Sequence, residues 1–150
     1  MVAVSADTLG AWVVRCNPKL RDLHGLLRPG ASPIGSWSVA ANYRSQMMRR
    51  GDVILLWVSG QDRAFPRGFW GRGTVLGTAG PEDDVVEPSA RRQLHAPIEL
   101  RIHPDDAITD RELRAAGIDD LEVQRQPQGS NPSWVSRAQL ARIDRTRSDR

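Results

Sequence analysis

Gly51-Asp52-Val53-Ile54-Leu55-Leu56-Trp57-Val58-Ser59-Gly60, a mixed-charge loop holding Pro66, and Gly68-Phe69-Trp70-Gly71-Arg72-Gly73-Thr74-Val75-Leu76-Gly77 form the stretch whose reading decides the fold. Residues 53–59 carry no charge and are bounded by turn residues, the pattern of a strand buried on both faces. The segment after the loop reads as its hairpin partner. Strict two-residue periodicity would put Phe69, Gly71, Gly73 and Val75 on one face, with Trp70, Arg72, Thr74 and Leu76 on the other. Two glycines on one face bare the backbone. They invite close approach by a ligand or another chain, or let the strand curl as a closed sheet requires.

On the N-terminal side, residues 11–16 (AWVVRC) read as a short strand and Asn17-Pro18 as a helix start, Asn as N-cap and Pro at the first helical position. Residues 33–39 read as a turn leading into an isolated extended piece. Residues 40–50 read as a helix, with Arg49 and Arg50 at its negative end and Gly51 as its stop. On the C-terminal side, residues 80–90 form an acidic, proline-containing loop, and residues 94–102 return to strand character with Ile98, Leu100 and Ile102 on one face. Thr109 with Glu112, and Ser136 with Gln139, are capping boxes that open two helices. Residues 121–125 read as a short strand or a 3₁₀ piece. Connections this short imply an α+β fold with a mostly antiparallel, curled sheet. The expected layout is an N-terminal extension (1–10), one domain (11–143) and a frayed, charged tail (144–150).

At 150 residues, with 39% apolar content and five Trp, the chain can bury the core of a single domain. No apolar run reaches the roughly 18 residues that would suggest a membrane span, and residues 1–10 lack the pattern of a signal peptide. Cys16 is the one cysteine, so an internal disulfide is excluded and a cytoplasmic setting is expected. The net charge of +3 rests almost entirely on arginine, which permits nucleic-acid binding and equally suits an ordinary basic surface.

No nucleophile elbow, P-loop or His-Glu-x-x-His is present. Cys16 reads as a buried thiol, the Asp83-Asp84 and Asp105-Asp106 pairs as solvated loop charge, and the three scattered His as no zinc site. The tryptophans carry more meaning, because an indole is costly to bury without a partner and its face suits stacking on a base. Trp37, in Gly35-Ser36-Trp37-Ser38, is either a pocket wall or a plug for the end of the sheet. Trp57 reads as core, and Trp70 and Trp134 are open.

Several of these segments, taken in order, resemble the EVE domain of the PUA-like superfamily. They are Ala11-Trp12-Val13-Val14, Cys16-Asn17-Pro18-Lys19, Gly35-Ser36-Trp37-Ser38 with Asn42-Tyr43, residues 51–60 leading to residues 68–75, and Pro127-Gln128-Gly129-Ser130-Asn131 before Trp134-Val135-Ser136. The Trp37-Ser38 segment and the hairpin also resemble the related YTH domain. The resemblance spans about residues 11–143. It implies a small, curled, PUA-like β-barrel with short peripheral helices and a side pocket for a modified base. By position, Trp37 would be the stacking wall and Ser38 a polar contact. Asn17, Ser59 and Gly60 would line the mouth, and Trp57, Trp70 or Trp134 would supply a second wall. Arg15, Arg44, Arg67 and Arg72 are candidate phosphate contacts. The expectation is a non-enzymatic, cofactor-free reader of a modified base in DNA or RNA, acting with a separate effector protein. The alternative is a sensor of a free nucleoside or nucleotide in the same pocket.

Overall fold

The computed structural model describes residues 3–18, 23–26, 31–60, 62–81 and 93–149. Among these, the elements run β1 (Leu9–Cys16), α1 (Leu23–Leu26), β2 (Ile34–Ala40), α2 (Tyr43–Met47), β3 (Val53–Val58), β4 (Gly68–Val75), β5 (Gln93–Ile102), β6 (Ile108–Thr109), α3 (Asp110–Ala115), α4 (Glu122–Arg125), β7 (Ser133–Ser136) and α5 (Arg137–Ser148). The strands form one seven-stranded sheet in the order β2-β5-β4-β3-β1-β7, with β6 paired to β4. Only β1 and β3 run parallel; every other pairing is antiparallel. The fold is therefore mixed α+β with a mostly antiparallel sheet. The ladder is open, with β2 and β7 as its two ends, so the expected closed barrel is not seen.

β3 is buried on both sides, as its uncharged run requires. Ile54, Leu56 and Val58 enter one core with Trp12, Val14 and Trp37. Leu55 and Trp57 enter a second core with Phe69, Leu113, Val135 and Ile143, contributed in part by α3, β7 and α5. Trp12 is fully buried, and its indole N–H is satisfied by Asp52 Oδ2 at 2.9 Å. The same carboxylate oxygen accepts from Arg49 N at 2.9 Å. The Gly-Asp that opens the central stretch thus ties β1 to the turn before β3.

The face assignment of β4 needs correction. Leu56 pairs with Gly71 but Trp57 pairs with Phe69, so Trp70 is the extra residue of a bulge. Phe69 therefore lies with Trp57 in the second core, while Val75 lies in the first. The bare strip is filled by β5. A β-carbon at Gly73 would collide with Glu99 O, and one at Gly71 would sit 2.8 Å from Arg101 O.

Both capping boxes form. Thr109 Oγ1 accepts from Glu112 N at 3.1 Å, and Ser136 Oγ accepts from Gln139 N at 3.1 Å. Residues 33–39 are not isolated, because β2 is an edge strand along β5. The helix expected over residues 40–50 shrinks to α2, capped by Asn42, since residues up to Ala40 belong to β2. Residues 121–125 are neither strand nor 3₁₀: Leu121 caps the helical turn α4 (Glu122–Arg125). The expected tail is helical: α5 runs to Ser148, and Asp144 forms ion pairs with Arg72 and Arg147. The expected extension is also partly packed, with Val4 buried and β1 beginning at Leu9. The helix start after Asn17-Pro18 and most of the acidic loop lie outside the described residues. No helix among the described residues is long and apolar enough to cross a membrane.

Candidate functional site

β7 pairs with β1 only from Leu9 to Val13 and begins at Ser133. Beyond that point the approach to β7 bends toward β2. Asn131 O accepts from Ala40 N at 3.1 Å and from Asn42 Nδ2 at 3.3 Å, and Asn131 Nδ2 donates to Ser38 O at 3.0 Å. One asparagine thus stitches the region ahead of β7 to β2 across the gap between the sheet's two ends. In this gap lies a cavity of about 180 Å³ lined by Val13, Arg15, Trp37, Ser130 and Asn131.

Trp37 combines both roles open to it. It is 8% exposed and belongs to the first core, and it also bounds this cavity. It is the cavity's one aromatic wall among the described residues. Arg15 reaches across and binds the turn before β7, Nη1 donating to Gly129 O at 2.9 Å and Nη2 to Gln126 O at 3.0 Å. Its Nε–H is buried without an acceptor among the described residues. Burial holds this guanidinium below its ordinary pKa, against the raising pull of Glu122. The walls therefore combine an aromatic ring, an aliphatic side chain, a cation and small polar groups. Such a lining suits one planar, hydrogen-bonding ring. The volume is below the roughly 300–1,000 Å³ typical of pockets for drug-sized ligands.

The other expected site residues distribute differently. Ser38 is half-buried; its hydroxyl donates to Gln93 Oε1 at 3.0 Å. Asn17, Ser59 and Gly60 do come together. Ser59 N and Oγ donate to Cys16 O at 2.8 and 3.3 Å, and Asn17 Oδ1 is 3.3 Å from where a β-carbon of Gly60 would stand. That cluster is not part of the wall of the Trp37 cavity. Trp57 is no wall either: it is 1% exposed and packs edge-to-face on Phe69, with ring centres 4.8 Å apart. Trp134 is 9% exposed and sits in the first core. Trp70 is half-buried, donates Nε1–H to Pro66 O at 2.8 Å, and contacts Phe65 edge-on at 5.3 Å. It lines a different cavity, of about 190 Å³.

Of the candidate phosphate contacts, Arg44 must be withdrawn. It is 2% exposed and held by Glu122 through two hydrogen bonds, of 2.6 and 2.9 Å, with Pro132 O a further acceptor at 3.2 Å. Burial works against the Glu122 carboxylate. Hydrogen bonds from Arg44 and Ser133 outweigh it and hold the group below its ordinary pKa. The same pair raises Arg44 above its own. Arg67 is exposed. Arg72 is partly exposed and pairs with Asp144 at 2.9 Å. In the sequence, residues 127–131 stood out only as part of the family resemblance. Asn131 became a seam residue through register alone, which no local pattern signals.

The fold and cavity define an α+β domain with a small polar-aromatic cavity at the gap of an open, mostly antiparallel sheet. No family model matches the chain, and no curated protein does. Solved structures share the fold. A hypothetical protein from Leishmania major aligns with a TM-score of 0.67 at 17% identity over 97% of this chain and 98% of its own. Rpa0253 from Rhodopseudomonas palustris aligns with a TM-score of 0.66 at 14% identity over 93% and 94%. PSPTO5229 from Pseudomonas syringae aligns with a TM-score of 0.58 at 17% identity over 91% and 99%.

Proposed function

We propose that this chain is an EVE-like member of the PUA-like superfamily that receives a single modified nucleobase, from DNA or RNA, in the cavity beside Trp37. The observation that carries the reading is that cavity. It is lined by the buried Trp37 and by Arg15, Ser130 and Asn131, whose side chains are polar. Base-on-aromatic stacking contributes about 1–3 kcal/mol. A methyl-sized mark enclosed with the base adds about 1 kcal/mol. Extruding the base costs a few kcal/mol, least for a strand already single. Edge hydrogen bonds must therefore supply part of the discrimination. On this reading the open sheet is a PUA-like barrel with β2 and β7 as its lips. The module has no catalytic role, works in the cytoplasm, and delivers its effect through a separate effector protein.

The test is fluorescence anisotropy with single-stranded oligonucleotides, each carrying one modified base, beside their unmodified twins. The expected result is salt-sensitive binding with a preference for one mark, lost in Trp37→Leu while circular dichroism is unchanged. Absence of preference across the whole panel overturns the reading. Binding of free nucleosides without oligonucleotide binding replaces it with the small-ligand sensor.

A further inference from the structure

The cavity beside Trp70 differs in character from the one beside Trp37. It is walled by Trp70, Arg72, His103, Asp106 and Arg147, over a floor of Phe69 and Gly71. One of its walls, Trp70, is the extra residue of the β4 bulge. α5 supplies Arg147 to the lining.

Two features of the cations here are unexplained by the fold alone. Arg72 stands directly opposite Arg101 in the antiparallel β4–β5 ladder. Like charges so placed repel and destabilise the pair. Arg147 Nε–H is buried with no acceptor among the described residues. The compensation visible is thin. Asp144 Oδ1 is shared between Arg72 at 2.9 Å and Arg147 at 3.5 Å. The Arg72 and Asp144 side chains are 38% and 41% exposed, and ion pairs so exposed hold their members only weakly. Arg72 and Arg147, both lining the cleft, thus share the one carboxylate Asp144, with Asp106 and His103 also in the lining.

We propose that this cleft is a binding site for a phosphoryl group, with Arg72 and Arg147 as its charged donors and the Trp70 ring as its side wall. Guanidinium groups suit this because their N–H forks match phosphate oxygens. The phosphoryl group can belong to a nucleic-acid backbone or be free phosphate. The site stands apart from the Trp37 cavity and does not depend on the reading given to it.

The experiment follows the indole N–H resonance of Trp70 by NMR at low salt. Inorganic phosphate and an unmodified single-stranded oligonucleotide are titrated separately. A saturable shift with phosphate identifies a free-anion site; a shift with the oligonucleotide alone identifies a backbone site. Both support the proposal. Arg147→Gln weakens the interaction about tenfold, as expected for losing a charged donor. Asp144→Asn strengthens it, because both arginines lose a competing carboxylate. Trp37→Leu leaves it unchanged, which separates this site from the base cavity. No shift with either probe overturns the proposal. So does a shift that Arg147→Gln and Asp144→Asn leave untouched while their melting curves show a folded protein.

Discussion

Arg44 and Arg72 carry the same side chain and drew the same expectation from the sequence, yet they sit in opposite physical situations. Arg44 is buried against Glu122 beneath the seam, with Ser133 Oγ also donating to that carboxylate at 2.8 Å. Arg72 meets Asp144 where both side chains are more than a third exposed. A buried pair is costly to break because the survivor is left as an uncompensated charge. An exposed pair exchanges readily with water and ions. The first arginine therefore belongs to the architecture that holds α2 and α4 together, and the second is held only by an exposed ion pair.

The hardest way to break this contrast is Arg44→Leu. It strands the Glu122 carboxylate and is expected to lower stability by about 3–5 kcal/mol, read as the midpoint of urea unfolding. The double change Arg44→Met with Glu122→Leu is expected to recover most of that loss, because an apolar pair of similar bulk carries no desolvation cost. If the double variant is no better than the single, the pair matters for something besides charge compensation.

Acid sharpens the contrast next. Glu122 is held below its ordinary pKa in the folded state, so the unfolded chain binds its proton first as pH falls. The stability it contributes is fully present above the ordinary carboxylate value near 4.3 and is lost as pH drops through the lower, folded value. Unfolding midpoints of the wild type and Glu122→Gln are therefore expected to converge below roughly pH 4. Parallel curves down to the acid limit would remove Glu122 from the account.

The smallest effect is expected at the exposed pair. Arg72→Gln should change stability by less than about 1 kcal/mol, in keeping with exposed ion pairs. A larger loss in the same urea experiment would make Arg72 architectural like Arg44 and erase the distinction.

Much of the frame was legible because it is local. The uncharged run of residues 53–58 announced a doubly buried strand, and alternation in β5 named Ile98 and Leu100 as inward residues. The Thr109/Glu112 and Ser136/Gln139 pairs announced two helix starts, since a capping box is complete within four residues. Legibility failed where register decides. The bulge at Trp70 reverses the face of Phe69, and nothing within β4 reveals that β3 skips a residue opposite it. The last turns of α5, from Asp144 on, carried charge enough to read as a frayed tail, yet the helix runs to Ser148 and Asp144 reaches Arg72 across 72 positions of sequence. Trp37 drew attention because small residues flank it, yet it lies mid-strand in β2 and not in an isolated piece. The partners that make a cavity beside it, Arg15 and Asn131, arrive from two other parts of the chain.

Hydrophobic patterning, turn chemistry and caps thus determined by themselves that this chain builds a mostly antiparallel sheet with short helices around a central buried strand. Only the tertiary structure decided which arginines are buried and which exposed, which tryptophans are core and which border a cavity. The reason is physical. Pattern and propensity act over a few residues, whereas burial and charge pairing depend on which distant segments are brought together. For Gly51 to Gly77, that means β5 lies against the glycines and α5 against the bulge.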